Sequence, residues 1–195
     1  MCSLPPRLEK ALRILSEILS GIGARWVLVG STASCLNGVE VQPKDIDVIV
    51  ESGKAYEVDS VFASRFRVLR RMKYSSSEVY SSHYGVFEIQ GVKVEVMASL
   101  KICGEPGCLE VEFDELYRYS KSLRIGSTGL RVAPLEWQLV ANTLIPGKEK
   151  RVAKILEALN TKGVNAEILD NVLNKAPQKT RKHVIELLRN THKIY

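Results

Sequence analysis

With 195 residues, 45% of them hydrophobic and 26% charged, the chain can bury a real core as one domain with an appendage or as two small lobes, and a disordered chain is excluded. Its apolar runs fall short of the ~18–20 residues of a membrane span, and MCSLPPRLEK lacks the basic-then-apolar layout of a secretory signal; no membrane contact and cytoplasmic residence are expected. The net charge of +6 is concentrated from residue 146 onward, where eleven Lys/Arg face five Asp/Glu, the composition of a solvated helical surface with a secondary capacity for polyanions.

Residues 6–20 carry Leu8, Leu12, Leu15 and Leu19 at helical spacing behind Pro5 and Pro6 and before Gly21 and Gly23, which predicts an amphipathic helix. Trp26-Val27-Leu28-Val29 reads as a buried strand broken by Gly30-Ser31-Thr32, with a short helix over 33–36. Asp45 to Val50 reads as a second strand, 53–63 as a helix and 66–74 as a strand. The alternating runs 84–89 and 92–97 flank Gln90-Gly91 as a hairpin, and 109–113 and 123–125 are short strand candidates. After Pro134, four segments (135–145, 148–160, 164–174 and 178–190) show helical spacing. The expectation is an α/β fold over 1–131, a small mixed, mostly antiparallel sheet with helices on one side, followed by a helical region over 132–195.

Three pieces carry chemistry. Asp45 and Asp47 share one strand face about 6.5–7 Å apart, an arrangement that is repulsive unless a cation neutralises it; Ile46, Val48 and Val50 face the core. Glu95 shares its face with Lys93 and Met97, opposite Val92, Val94 and Val96, and joins the acidic pair if its strand lies alongside. Three such carboxylates suit Mg²⁺, with Mn²⁺ as the alternative, in the two-metal arrangement of in-line phosphoryl displacement. Gly30 and Ser31, between a strand and a helix, suit a phosphate at the backbone, and Lys44 beside the first aspartate suits the triphosphate charge.

VGSTASCLNG followed by KDIDVIV, with KVEVMAS later, resembles the DNA polymerase beta-type nucleotidyltransferase superfamily over roughly residues 24–100. In layout the chain is similar to small prokaryotic members, among them antibiotic nucleotidyltransferases and nucleotidyltransferase-type toxins. The resemblance implies that Asp45 and Asp47 bind both metals, that Glu95 binds one and serves as base to the acceptor hydroxyl, and that Gly30 and Ser31 hold the β- and γ-phosphates. Where many small relatives carry a Lys-Asp pair at the start of a C-terminal helix, this chain reads Pro146-Gly147-Lys148-Glu149-Lys150-Arg151, which keeps the lysine and not the aspartate.

The expected activity is transfer of a nucleoside monophosphate from a triphosphate, ATP favoured, to a hydroxyl on a small molecule, a tRNA or a protein, with pyrophosphate released, by a chain that can oligomerise. The rival is a non-catalytic nucleotide-binding or RNA-binding module on the same fold. Lys54 and Lys148 are further phosphate contacts to look for. Strand alternation would put Arg65, Arg67 and Arg71 on one face with Leu69, an edge strand guarded by charge or a guide for a polyanion. The spacing of His83, His183, His192 and the cysteines matches no zinc site. Cys2, Cys35, Cys103 and Cys108 form no dense disulfide framework; Cys103 and Cys108 flank a Gly-Glu-Pro-Gly turn across which they could meet as a disulfide, with free thiols as the default expectation for this pair; Trp26 and Trp137 are expected in the core.

Overall fold

The computed structural model describes residues 3–191; Cys2 and His192 lie outside the described residues. Eight strands form one sheet in the order β3-β4-β5-β2-β1-β8-β7, with β6 paired to β5. The strands are β1 (Trp26–Val29), β2 (Ile46–Val50), β3 (Arg67–Ser76), β4 (Tyr80–Ile89), β5 (Val92–Gly104), β6 (Gly107–Glu110), β7 (Lys121–Ile125) and β8 (Thr128–Val132). β2 pairs with β5 and β1 with β8 in parallel, and the other pairs are antiparallel. The fold is therefore the expected mixed, mostly antiparallel α/β arrangement.

Helices cover both faces of the sheet, not one. On the first face α1 (Pro6–Gly21) and α3 (Ala55–Arg65) pack Leu8, Leu12, Leu15, Leu19, Val58 and Phe62 against Ile46, Val48, Val50, Val94 and Val96. On the second face α5 (Leu135–Leu144), α6 (Glu149–Lys162), α7 (Ala166–Lys175) and α8 (Gln178–Thr191) close over Val27, Val29, Ile49 and Leu100. The single-sided expectation failed because β1 and β5 carry apolar side chains on both faces, and a strand buried twice needs two covers. Trp26 and Trp137 are both buried.

Two short elements escaped the sequence reading. Phe113 opens a helix, α4 (Phe113–Tyr119), and is not the end of a strand; Leu116 is its buried contact. β8 pairs with β7 across a tight turn at Gly126 and supplies Leu130 and Val132 to the core. The cysteine expectation is corrected: Cys103 and Cys108 stand opposite each other on the β5–β6 hairpin and are joined by a disulfide, and none of the described cysteines is a free thiol. The glutamate-proline-glycine turn brings the two strands into a register that places the sulfurs together. Among the described residues no helix is long and apolar enough to cross a membrane.

β3 breaks strict alternation. Register shifts between Val68 and Arg70 and again between Arg70 and Lys73 turn Arg70 to the second face and Met72 into the first-face core. Arg71 instead reaches Asp59 on α3, at 2.6 Å, while Asp59 also accepts the backbone N–H of Met72 at 2.8 Å. The expected common face of Arg65, Arg67 and Arg71 does not form, and Arg65 belongs to α3.

The densest aromatic contact in the first-face core is Phe62, edge-on to both Phe66 and Phe87 at centroid distances of 5.7 and 5.2 Å. Phe62 is fully buried. Phe62→Ala should therefore lower the unfolding free energy by about 3–5 kcal/mol, read as a shifted urea midpoint at unchanged slope.

Candidate active site

Near the start of β2 the second face carries Asp47, which is half-buried. Asp47 lies there in register with Glu95 of β5 on one side and with Val29, the residue before Gly30, on the other. β2 is apolar towards α1 and α3 at Ile46, Val48 and Val50; its opposite side carries Asp47 first and Ile49, under the helical cover, second. Parallel pairing thus puts two acids far apart in sequence on neighbouring strands and the same face, with Asp45 two residues before Asp47. Asp47 and Glu95 share one face side by side, whereas Asp45 precedes β2 instead of opening it and is linked to Glu95 through Lys93.

Lys93 completes the cluster. Its Nζ donates to Glu95 Oε1 at 2.6 Å and lies 3.6 Å from Asp45 Oδ2, spanning the two carboxylates. The contact with Glu95, and then the Glu95 and Asp45 charges, hold the lysine ammonium above its ordinary range despite partial burial. Asp47 has no such partner. Burial, then the charges of Asp45 and Glu95, push its carboxyl up to about 7, against a smaller pull from Lys93 and Lys148. Among the described residues no three His, Cys, Asp or Glu side chains stand close enough together to enclose one metal ion; the ammonium of Lys93 lies between two of the three acids. The donor set itself, three carboxylates of which one is pushed up by burial and then by the charges of the other two, is the hard-oxygen chemistry a divalent cation neutralises.

Gly30 opens α2 (Gly30–Leu36) with φ +67°, and a Cβ at this position would lie 2.0 Å from Asp47 Oδ2. The glycine is required by the neighbouring aspartate as well as by its own backbone angle. Ser31 donates to Asp45 Oδ1 at 3.3 Å, and Thr32 donates to the Asp45 carbonyl at 2.6 Å. Ser34 donates to Gln138 at 2.6 Å, Gln138 donates to the Ala133 carbonyl at 2.8 Å, and Asn37 reaches the same carbonyl at 2.9 Å. These buried bonds fix the short α2 to α5, and through it Gly30 and Ser31 to the acids. Lys44 is exposed and lines a neighbouring cleft of about 990 Å³ with Pro5, Glu40, Pro43 and Lys154. Lys54 pairs with Glu57 on α3.

Four residues with no role in the sequence reading join the site. Tyr84 lies on the second face beside Met97. Its hydroxyl is pushed up to about 12 by burial, by the Glu95 charge and by a hydrogen bond to that carboxylate. The Tyr80 hydroxyl is raised by burial and by the Asp47 and Glu95 charges. Arg151 is half-buried at the start of α6, its guanidinium lowered by burial against the opposing pull of Asp47 and Asp45. Lys93 was legible from alternation alone, two residues before Glu95; Arg151 was legible as one helical turn beyond Lys148. Nothing local marked the tyrosines.

The family described as aminoglycoside-2''-adenylyltransferase matches residues 11–158. Among curated proteins none matches. Of the solved structures, a candidate nucleotidyltransferase from Thermotoga maritima is 28% identical and superposes with a TM-score of 0.64 over 82% of this chain and 96% of that one. An antigenic nucleotidyltransferase-like protein from Paracoccidioides brasiliensis gives 0.53 at 15% identity over 95% and 94%. The aminoglycoside enzyme ANT(2'')-Ia, in complex with adenylyl-2''-tobramycin, gives 0.53 at 13% identity over 93% and 98%.

Gly30→Ala separates the two demands on that position. Gly23 has a similar φ of +64° and open space around it, so Gly23→Ala should cost only the roughly 1–2 kcal/mol of backbone strain. Gly30→Ala should cost more in thermal unfolding, because Asp47 must also move.

Proposed function

The chain belongs to the aminoglycoside-2''-adenylyltransferase family of nucleotidyltransferases, and on that premise we propose that it moves a nucleoside monophosphate, ATP being the favoured donor, to a hydroxyl of a small molecule, an RNA or a protein. The observation that carries this reading is the shared face of Asp45, Asp47 and Glu95 beside Gly30 and Ser31. A structural sheet gains nothing from three adjacent carboxylates, one of them driven to about 7.

Asp45, Asp47 and Glu95 would hold a divalent cation, Mg²⁺ or Mn²⁺, in exchange for the Lys93 ammonium that lies between two of them. When bound, the metal ion offsets the triphosphate charge and lowers the pKa of the attacking hydroxyl. Asp47 is fixed by its strand on both sides. Ser31 donates to Asp45 and orients it; its one hydroxyl proton would turn to a phosphate oxygen when the donor binds. Lys148 and Arg151 place positive charge near the acids, and Lys44, exposed and next to Asp45 in the chain, adds a further cation for the triphosphate tail.

Glu95 accepts hydrogen bonds from Lys93 and Tyr84, which aim its carboxylate as a base. The acceptor oxygen forms a bond to the α-phosphorus, its proton passes to Glu95, and the bond from that phosphorus to the bridging oxygen breaks, releasing pyrophosphate with the electron pair. Most of the catalytic effect assigned to the protein is positioning and electrostatics.

Incubation with α-labelled ATP and a cell extract should transfer label in a reaction that stops on chelation of divalent cations. Asp47→Asn should reduce transfer by at least about 10²-fold while leaving the circular dichroism spectrum intact. Persistence of transfer in that variant would remove the assignment. Triphosphate binding with no transfer, unchanged by Glu95→Gln, would favour the binding-module reading.

A further inference from the structure

The face that an acceptor must cross to reach Glu95 is built from β4 and β3. The register carries the acidic row outward without a break: Asp47 is opposite Glu95, Glu95 opposite Val86, and Val86 opposite Arg70. Two strand spacings separate Arg70 from Glu95, about 10 Å. The rows on either side end in the same way. Met97, Tyr84 and Lys73 form one, and Lys93, Glu88 and Arg67 form the other. Successive rows are about 7 Å apart, comparable with the spacing of phosphates along an extended single strand. The bulges of β3 are what bring Arg70 into this column.

The column is cationic and aromatic. Arg67, Arg70 and Lys73 face a single interleaved acid, Glu88, which lies 3.8 Å from Arg67. The Arg70 guanidinium is stacked over Tyr84 at 5.0 Å and is anchored to Ser75 Oγ at 3.0 Å. Tyr84 stands between Lys73 and Met97, and Tyr80, further along β4 in register with Ile102, lies on the same face. An amino sugar carrying several ammonium groups would meet the like charges of Arg67, Arg70 and Lys73 on this column before it reached the acids. A chain of phosphates would meet three cations in line, and its bases would meet two phenol rings.

Resting on the nucleotidyl-transfer reading, we propose that the acceptor is the hydroxyl-bearing end of a single-stranded nucleic acid, held by Arg67, Arg70 and Lys73 through its phosphates and by Tyr80 and Tyr84 through its bases, and not a polycationic amino sugar. The terminal hydroxyl oxygen then bonds to the α-phosphorus of the donor, Glu95 takes its proton, and pyrophosphate leaves. The family name describes amino-sugar acceptors; the charge on this face is opposite to what such an acceptor requires.

The test has a binding arm and a transfer arm. Fluorescence anisotropy of short labelled RNA and DNA oligonucleotides is measured against the full chain over a range of salt, with Arg70→Gln and Lys73→Glu, the latter at an exposed position, as variants checked by circular dichroism. Binding that weakens steeply with salt, and whose slope against log salt drops by about 1 with each cation removed, supports the assignment; so does an affinity loss of about tenfold in Lys73→Glu. The relative strength of RNA and DNA identifies which strand is used. No binding of either, or an unchanged slope in both variants, overturns it. In the transfer arm α-labelled ATP is offered with each oligonucleotide, with an aminoglycoside and with a protein extract. Label on an oligonucleotide, diminished by Lys73→Glu, supports the proposal. Label on the aminoglycoside or on protein alone overturns it and leaves nucleotidyl transfer standing. Absence of label on every acceptor, with no ATP binding, overturns both readings together.

Discussion

The parallel pairing of β2 with β5 is the constraint on which the site depends. Asp47 and Glu95 are separated by the whole of α3, β3 and β4, yet the pairing sets them side by side. A parallel pair cannot be joined by a tight turn, so a long connection is required. Here that connection is the α3–β3–β4 excursion, and it becomes the wall beyond Glu95. One topological requirement therefore supplies both the meeting of the acids and the surface that leads to them. The cost of the meeting is visible in Asp47, whose carboxyl is driven to about 7 by burial and by its neighbours.

Much of this arrangement was legible in the sequence because it is local. Alternation in KDIDVIV and KVEVMAS gave the strands, their core faces and the acids on the opposite faces. Gly30-Ser31 after an apolar run of four gave the junction. Helical spacing after Pro134 located all four C-terminal helices to within a few residues. Strand order was not local, and neither was the second cover: a strand with apolar side chains on both faces shows only hydrophobicity in sequence, not what lies above and below it. α4 was missed because LEVEFDELYRY alternates before it turns helical, and the short β8 because Thr128 to Val132 contains a glycine and an arginine. The bulges in β3 defeated alternation outright, since an irregularity of register leaves no compositional mark.

The same limits applied at the site. The reason for Gly30 was read as room for a phosphate; the structure adds an aspartate that leaves no room for a methyl group. Lys93 was placed on the right face but its span between Asp45 and Glu95 depends on where a different strand begins. Tyr80 and Tyr84 had no local signal, because tyrosine on a strand is ordinary and only the pairing of β4 with β5 turns them towards Glu95. Electrostatics also divides unevenly. The cations of α6 and of β3 come from distant parts of the chain and flank the acids from opposite sides, so the overall charge of the chain says less about its substrate than their placement does.

The contact between Gly30 and the Asp47 carboxylate also bears on how such a protein can change over generations. Neither position can vary alone: a side chain at one displaces the carboxylate of the other, and a longer acid would be pressed into the backbone of α2. The pair behaves as one heritable unit, closed to gradual substitution. Arg67, Arg70 and Lys73 lie at the opposite extreme, on an edge strand where side chains can be exchanged with little disturbance to packing. A scaffold divided in this way can retain its donor chemistry while its acceptors drift, so kinship judged from the rigid half is a poor guide to what the permissive half has come to recognise.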